Sequence, residues 1–263
     1  MNQIFETIKN RVSLRHYDKR DISENDLRII LESAVLAPTA GNMSLYSIIK
    51  VTDQGLKNKL ALSCDDQPFI AKAPVILIFV LDWNKWYNYY GISKVEEWCN
   101  NNDGIKNFPK EGEFMLGASD ALIAAQNAVI AAESLGIGSC YIGDIMEKYE
   151  YHKELLKLPN LVFPVAMLTL GYYPENFKRV HRKRFEEKYI VFENEYKNLN
   201  DEELSLMFAD REYPSHNKAK AENFGQWMYS RKSGTPFIKE MSRSIAEALK
   251  QWKNKNDFEI NNK

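Results

Sequence analysis

Ala73-Pro74-Val75-Ile76-Leu77-Ile78-Phe79-Val80-Leu81 is the stretch on which the fold turns. From Val75 onward it carries no polar residue, so a strand here presents apolar side chains to both sides of a sheet and has to be covered on both. Working outward, Tyr46 to Val51 reads as a second strand. Pro164 to Leu170 reads as another, closed by Gly171-Tyr172-Tyr173-Pro174. The covering layers are helical. Ser23 with Asp26 three residues later has capping-box character, and Leu27, Ile30, Leu31, Ala34 and Val35 recur at helical spacing until Ala37-Pro38 ends the run. Ser119-Asp120 is expected to cap a helix to about Leu135 that is apolar nearly all round and therefore buried.

The chain has 263 residues, 44% hydrophobic and 27% charged, enough for one substantial core with appendages. Lysine and arginine number 35 against 36 aspartates and glutamates, a formal net charge of -1. That balance supplies no general attraction to nucleic acid or to an anionic membrane. The longest uninterrupted apolar run falls far short of the roughly 20 residues of a spanning helix. The opening Met1-Asn2-Gln3-Ile4-Phe5-Glu6 lacks the regions of a signal peptide, so a cytoplasmic protein without a membrane is expected. Cys64, Cys99 and Cys140 are odd in number and show no metal-ligand spacing.

Against this neutral background two basic segments stand out. In Arg11-Val12-Ser13-Leu14-Arg15, an extended backbone puts Arg11, Ser13 and Arg15 on one face and Val12 and Leu14 on the other, an anion clamp on an apolar backing. From Lys178 to Arg184, six basic residues surround Val180. Sites for other chemistries are missing. Gly136-Ile137-Gly138 has Tyr141 where a dinucleotide loop needs its third glycine, and it follows a helix instead of a strand. There is no phosphate-cradling G-x-x-x-x-G-K, no G-x-S-x-G, and no metal pattern among His16, His152, His181 and His216. An anion clamp without a nucleophile, acid or metal points to chemistry carried by a cofactor.

Two regions escape simple periodicity. From Trp83 to Gly112, Trp83, Trp86, Tyr87, Tyr89, Tyr90, Trp98 and Phe108 cluster among asparagines and lysines, reading either as a lid over a binding site or as a small satellite core. Beyond residue 190 the chain is polar and strand-poor. An amphipathic helix from about Thr235 to Lys253 carries Phe237, Met241, Ile245, Leu249 and Trp252. The expected division is a main domain of residues 1–190 and an extension of residues 191–263 that wraps the core or a partner subunit.

Four of these segments, in this order, resemble the FMN-dependent nitroreductase family. Arg11-Val12-Ser13-Leu14-Arg15 resembles its R-x-S-x-R opening, and Ala37-Pro38-Thr39-Ala40-Gly41-Asn42 its A-P-[ST]-x-x-N loop. The helix from Asp120 with Gly136 to Gly143 is similar to its central helix and flavin-facing loop, and Leu170-Gly171-Tyr172 with the basic stretch to its closing element. The resemblance implies an α+β three-layer sandwich, a mostly antiparallel central sheet flanked by helices, in an intertwined homodimer. It implies FMN as cofactor, NAD(P)H as electron donor, and a small electron-poor acceptor such as a nitroaromatic or quinone, reduced in a ping-pong sequence. Flavin reductase activity and a redox sensor are the alternatives. Arg11, Ser13 and Arg15 would contact the FMN phosphate, ribityl chain or ring edge. Pro38, Thr39, Ala40 and Asn42 would pass along the ring, and Gln67 would lie against it. Ile142, Gly143 and Asp144 would present backbone groups near the reactive nitrogen, and Arg182, with Lys178 or Arg184 as alternatives, would complete the phosphate clamp. The loop departs from the family's N-x-Q-P continuation, reading Asn42-Met43-Ser44-Leu45.

Overall fold

In the computed structural model of the chain, residues 2–253 are described. The α-helices are α1 (Gln3–Asn10), α2 (Glu24–Val35), α3 (Gln54–Ser63), α4 (Pro68–Ala71), α5 (Asn84–Ile92), α6 (Val95–Asn101), α7 (Glu111–Ser134), α8 (Tyr149–Leu155), α9 (Asp201–Phe208), α10 (Phe224–Met228) and α11 (Pro236–Leu249). The strands are β1 (Tyr46–Val51), β2 (Val75–Asp82), β3 (Ile137–Ile142) and β4 (Val162–Tyr172). They form one sheet in the order β1-β2-β4-β3, with every neighbouring pair antiparallel. This is an α+β fold.

All eight residues of β2 are buried, as a strand apolar on both faces requires. Its alternation divides the interior. Leu77, Phe79 and Leu81 join α2, α7 and Trp252 in one core, while Ile76, Ile78 and Val80 join Leu60, Ile70 and Ile145 in the other. The sheet is thus the middle of three layers. A bulge opposite Phe79 and Val80 shifts the parity of β4: Phe163 and Val165 precede it and Leu168 and Leu170 follow, all in the α7-side core. Pro164, which lacks a ladder donor, sits in this interior strand beside the bulge, where the irregular pairing tolerates it.

α7 departs from its expected form. It starts at Glu111, so Asp120 lies within the helix and caps nothing. Glu113 Oε2 accepts from Lys110 N at 2.8 Å and closes the first turn instead, ahead of an apolar stretch whose start the sequence obscures. The helix is also not buried all round. Phe114, Ala121, Ala124, Ala128 and Ala132 pack on the sheet, but Met115, Leu116, Leu122 and Ile123 are exposed. By length and hydropathy α7 could cross a membrane, yet it buries Asp120 and Glu133 against the sheet and is the core helix of this layer. The segment after it is a strand, β3, and not a loop. A Cβ at Gly138 would meet Leu14 Cδ2 at 2.6 Å and Tyr173 Cζ at 2.8 Å, so only glycine lets the chain from Arg11 to Arg15 lie against this edge.

The region from Trp83 to Gly112 contains α5 and α6, and most of its aromatic residues face inward, Tyr89 and Trp98 being exposed. Trp83 is buried in the α7-side core and donates its indole N–H to Glu113 O at 2.8 Å, while Trp86, Tyr87, Tyr90 and Phe108 pack against the same core. Trp83 is therefore a core residue and not a lid.

Among the described residues the chain divides into two compact units, residues 2–179 with 240–253, and residues 180–239. In the second unit no residue is buried and no strand occurs. Phe185, Phe208, Phe224 and Trp227 form a chain of ring contacts, and Lys183 pairs with Asp210. The end of α11 belongs to the first unit. There Ala248 and the following Trp252 are fully buried, and the Trp252 ring meets Phe114 edge-on at 5.0 Å. Residues 254–263 of the expected extension lie outside the described residues.

Candidate functional site

The Arg11–Arg15 segment is extended, as its alternation predicts. Val12 and Leu14 are buried and Ser13 and Arg15 exposed, with Arg11 half-buried. It lies along β3 through a parallel bridge between Ser13 and Ser139, with Leu14 N donating to Ser139 O at 2.9 Å. Tyr17 anchors its far end. The Tyr17 hydroxyl donates to Thr169 Oγ1 at 2.7 Å, and a Cβ at Gly171 would strike the Tyr17 ring at 2.6 Å. Burial raises the Tyr17 phenol far above its usual range, so this hydroxyl stays a donor.

The outward face collects several expected residues. The Arg15 guanidinium stands 5.9 Å from the Phe69 ring centroid, on the helix that Gln67 opens. Gln67 itself donates to Cys64 O at 3.0 Å. Burial pushes the Cys140 thiol up, while Arg15, a hydrogen bond with Ser13, and Arg11 partly offset it. Burial likewise pushes the Tyr141 phenol up to about 12 against the opposing pull of Arg11. Past Ile142, which is buried, the chain turns through a 3-10 helix (Gly143–Met146), and the charge of Asp144 reaches both Cys64 and Cys140. Arg11, Ser13, Arg15, Gln67, Ile142, Gly143 and Asp144 therefore lie on the β3 side of the sheet. Neither Arg11 nor Arg15 forms an ion pair among the described residues.

The loop carrying Pro38, Thr39, Ala40 and Asn42 lies elsewhere. It leads into Tyr46, which pairs with Leu81, whereas Ser139 beside Ser13 pairs with Leu170 and through it with Val75. Along β2, Tyr46 is separated from the level of Ser139 by about 20 Å and from that of Ile142 by about 10 Å, with about 14 Å across three strand spacings in both cases. Within one chain the loop and the β3 side do not converge. Arg182 and Arg184 are exposed residues of the second unit, and Lys178 is exposed in the first.

Several side chains that matter here carry no motif. Asp120, buried in α7, accepts from Ala40 N at 2.9 Å and Leu45 N at 3.2 Å, bracketing the Thr39–Ser44 loop. Glu133, buried near the other end of α7, accepts from Arg179 at 2.5 Å and from the Tyr173 hydroxyl at 2.7 Å. Arg179 is thus committed within its own unit, although the sequence shows it as one of six basic neighbours. An acid inside an apolar helix was the available signal for both carboxylates, because a buried charge is retained only with partners.

The sequence model of the Nitroreductase family matches residues 8–172. The FMN reductase (NADPH) of Bacillus subtilis is 31% identical over 205 residues, 78% of each chain. The oxygen-insensitive NADPH nitroreductase of Salmonella typhimurium is 28% identical over 249 residues, 95% of this chain and 97% of that protein. The structure of NfrA1 from B. megaterium superposes with a TM-score of 0.77 at 28% identity, covering 94% of this chain and 98% of that one. The match runs from α1 through the last residue of β4, taking in every strand of the sheet and the Arg11–Arg15 edge, and the chain belongs to the nitroreductase family.

Proposed function

We propose that the chain is an FMN-dependent oxidoreductase that passes two electrons from NAD(P)H to a nitroaromatic, quinone or similar electron-poor acceptor, with donor and acceptor using the site in turn. Its main support is the face of Arg11, Ser13 and Arg15: two guanidiniums and a hydroxyl on one exposed edge, without a carboxylate partner among the described residues. That donor set suits a terminal monophosphate. Gly143 adds to the fit, since a Cβ there would meet nothing of the chain nearer than Met146 Cε at 3.9 Å. The turn thus keeps its backbone open without any demand from internal packing.

In this reading Arg11 and Arg15 hold the phosphate, Ser13 orients the ribityl chain, and Gln67 and the Ile142–Asp144 turn face the ring. FMN bound there supplies hydride acceptance and two-electron donation. The protein's own work is binding, orientation and exclusion of water. The Pro38–Asn42 loop serves the same site from a second copy of the chain, consistent with its position at the opposite edge of the sheet. Exposed Ile4, Phe5 and Ile8 on α1 and Leu122 and Ile123 on α7 offer the apolar surface a homodimer would bury. The name of the Bacillus subtilis relative favours a second reading, with free flavin as the acceptor.

The test is flavin binding. Purified protein should release FMN on denaturation, and Arg11→Ala or Arg15→Ala should weaken binding about ten- to a hundredfold, the loss of one charge-assisted contact. Protein that takes up no FMN would end the proposal. Steady-state oxidation of NADH and NADPH against quinones, nitroaromatics and free flavin selects the acceptor.

A further inference from the structure

We infer that Asp120 and Trp86 are positioning residues that impose a flavin-binding conformation on the Thr39–Ser44 loop. This inference rests on the FMN reading above. The loop holds an unfavourable shape: Gly41 and Asn42 have φ of 56° and Ser44 of 50°, and left-handed backbone is costly for a residue with a Cβ. Something outside the loop has to select it.

Asp120 is placed to do so. It is 3% exposed, and its two carboxylate oxygens take the N–H groups at the two ends of the loop, Oδ1 from Ala40 and Oδ2 from Leu45. One turn earlier, a Cβ at Gly117 would lie 3.1 Å from Leu45 O, so α7 presses directly on the point where loop becomes strand. Inside the clasp, Asn42 N donates to Thr39 O, Met43 N to Ala40 O, and Ser44 N to the Thr39 hydroxyl. The remaining tie comes from the aromatic region. The Trp86 indole N–H donates to Met43 O at 2.8 Å, joining α5 to the crest of the loop. With its backbone secured from both sides, the loop turns Asn42 outward as an exposed residue in a left-handed conformation. A buried carboxylate in an apolar helix is a costly way to hold a surface loop, and ordering a ligand contact is a use that matches it.

Apo protein titrated with FMN, followed by quenching of flavin fluorescence, tests the inference, with hydrogen exchange of residues 39–45 as a parallel readout. Asp120→Asn sets an amide N–H against one of the two backbone donors. It should raise the FMN dissociation constant about tenfold or more and speed exchange across the loop while β2 and β4 stay protected. Trp86→Phe keeps an aromatic ring in the site while removing the donor and part of the packed indole, and should weaken binding several-fold with the same exchange signature. If Asp120→Asn does not fold, Trp86→Phe decides alone. Wild-type protein that binds FMN, with folded variants matching its dissociation constant, would overturn the inference and leave the FMN reading standing. Wild-type protein that binds no FMN would overturn both.

Discussion

Arg179 donates to the buried carboxylate of Glu133 at 2.5 Å, and the same guanidinium nitrogen reaches Asn10 O at 2.8 Å. One side chain thus ties the end of α7 to the residue preceding Arg11. The guanidinium also stacks 4.1 Å from the centre of the Tyr173 ring, whose hydroxyl completes the shell of Glu133. The pair is a latch behind the Arg11–Arg15 edge. Arg179→Ala should leave Glu133 buried with one hydrogen bond and cost about 3 kcal/mol, measured by urea unfolding. An unchanged midpoint would show the latch to be idle.

Gly138→Ala tests how the edge is seated. Its Cβ would fall 2.6 Å from Leu14 Cδ2, 2.8 Å from Leu14 Cβ and 2.8 Å from Tyr173 Cζ, inside the distance any carbon pair tolerates. Leu14 is fully buried and cannot swing clear without drawing Ser13 and Arg15 off the edge. Loss of about 1 to 3 kcal/mol is expected from overpacking, together with loss of FMN affinity. A variant with wild-type melting temperature and flavin binding would refute this seating.

Glu147 follows the 3-10 turn after β3 and is 4% exposed, with Oε1 unpartnered. Burial first, then the charges of Asp65, Asp144 and Glu240, raise its carboxyl from 4.5 to about 7, with Lys148 opposing. The fold therefore favours the protonated form. Between pH 4.5 and about 7 the folded state binds more proton than the unfolded chain, so stability falls as pH rises through that window and levels off above it. The full effect is at most about 3 kcal/mol. Glu147→Gln should flatten this slope, gaining on the wild type from pH 5 to pH 8 in denaturant unfolding. Parallel stability curves for the two proteins would contradict the assignment.

Trp252 is fully buried against Phe114, beyond the end of α11. Trp252→Ala should cost about 3 to 5 kcal/mol, since the ring leaves a cavity in the core that β2 and α7 share. A calorimetric melting temperature within a degree or two of wild type would mean that the C-terminal segment is not part of this core.

The amino-acid sequence by itself determined the strands β1 and β2, the helix α2, and the outward face of Arg11, Ser13 and Arg15, because each depends on the period of a few consecutive residues. The order of motifs that resembled the nitroreductase family was legible for the same reason. Tertiary structure alone decided the rest. Asp120 meets partners 80 and 75 residues away and Glu133 one 46 residues away, and no local pattern announces such a pairing. The strand β3 looked like a glycine-rich loop, because its glycine answers Leu14 and Tyr173 across the sheet and not its own neighbours. The aromatic stretch after β2 does hold a helical period, with Trp83, Trp86, Tyr87 and Tyr90 at i, i+3, i+4 and i+7 facing the core from α5, but the exposed Tyr89 and Trp98 among them mask it. The separation of the Pro38–Asn42 loop from the Arg11–Arg15 edge follows from strand order and register, quantities that arise only when segments distant in the chain hydrogen-bond to one another.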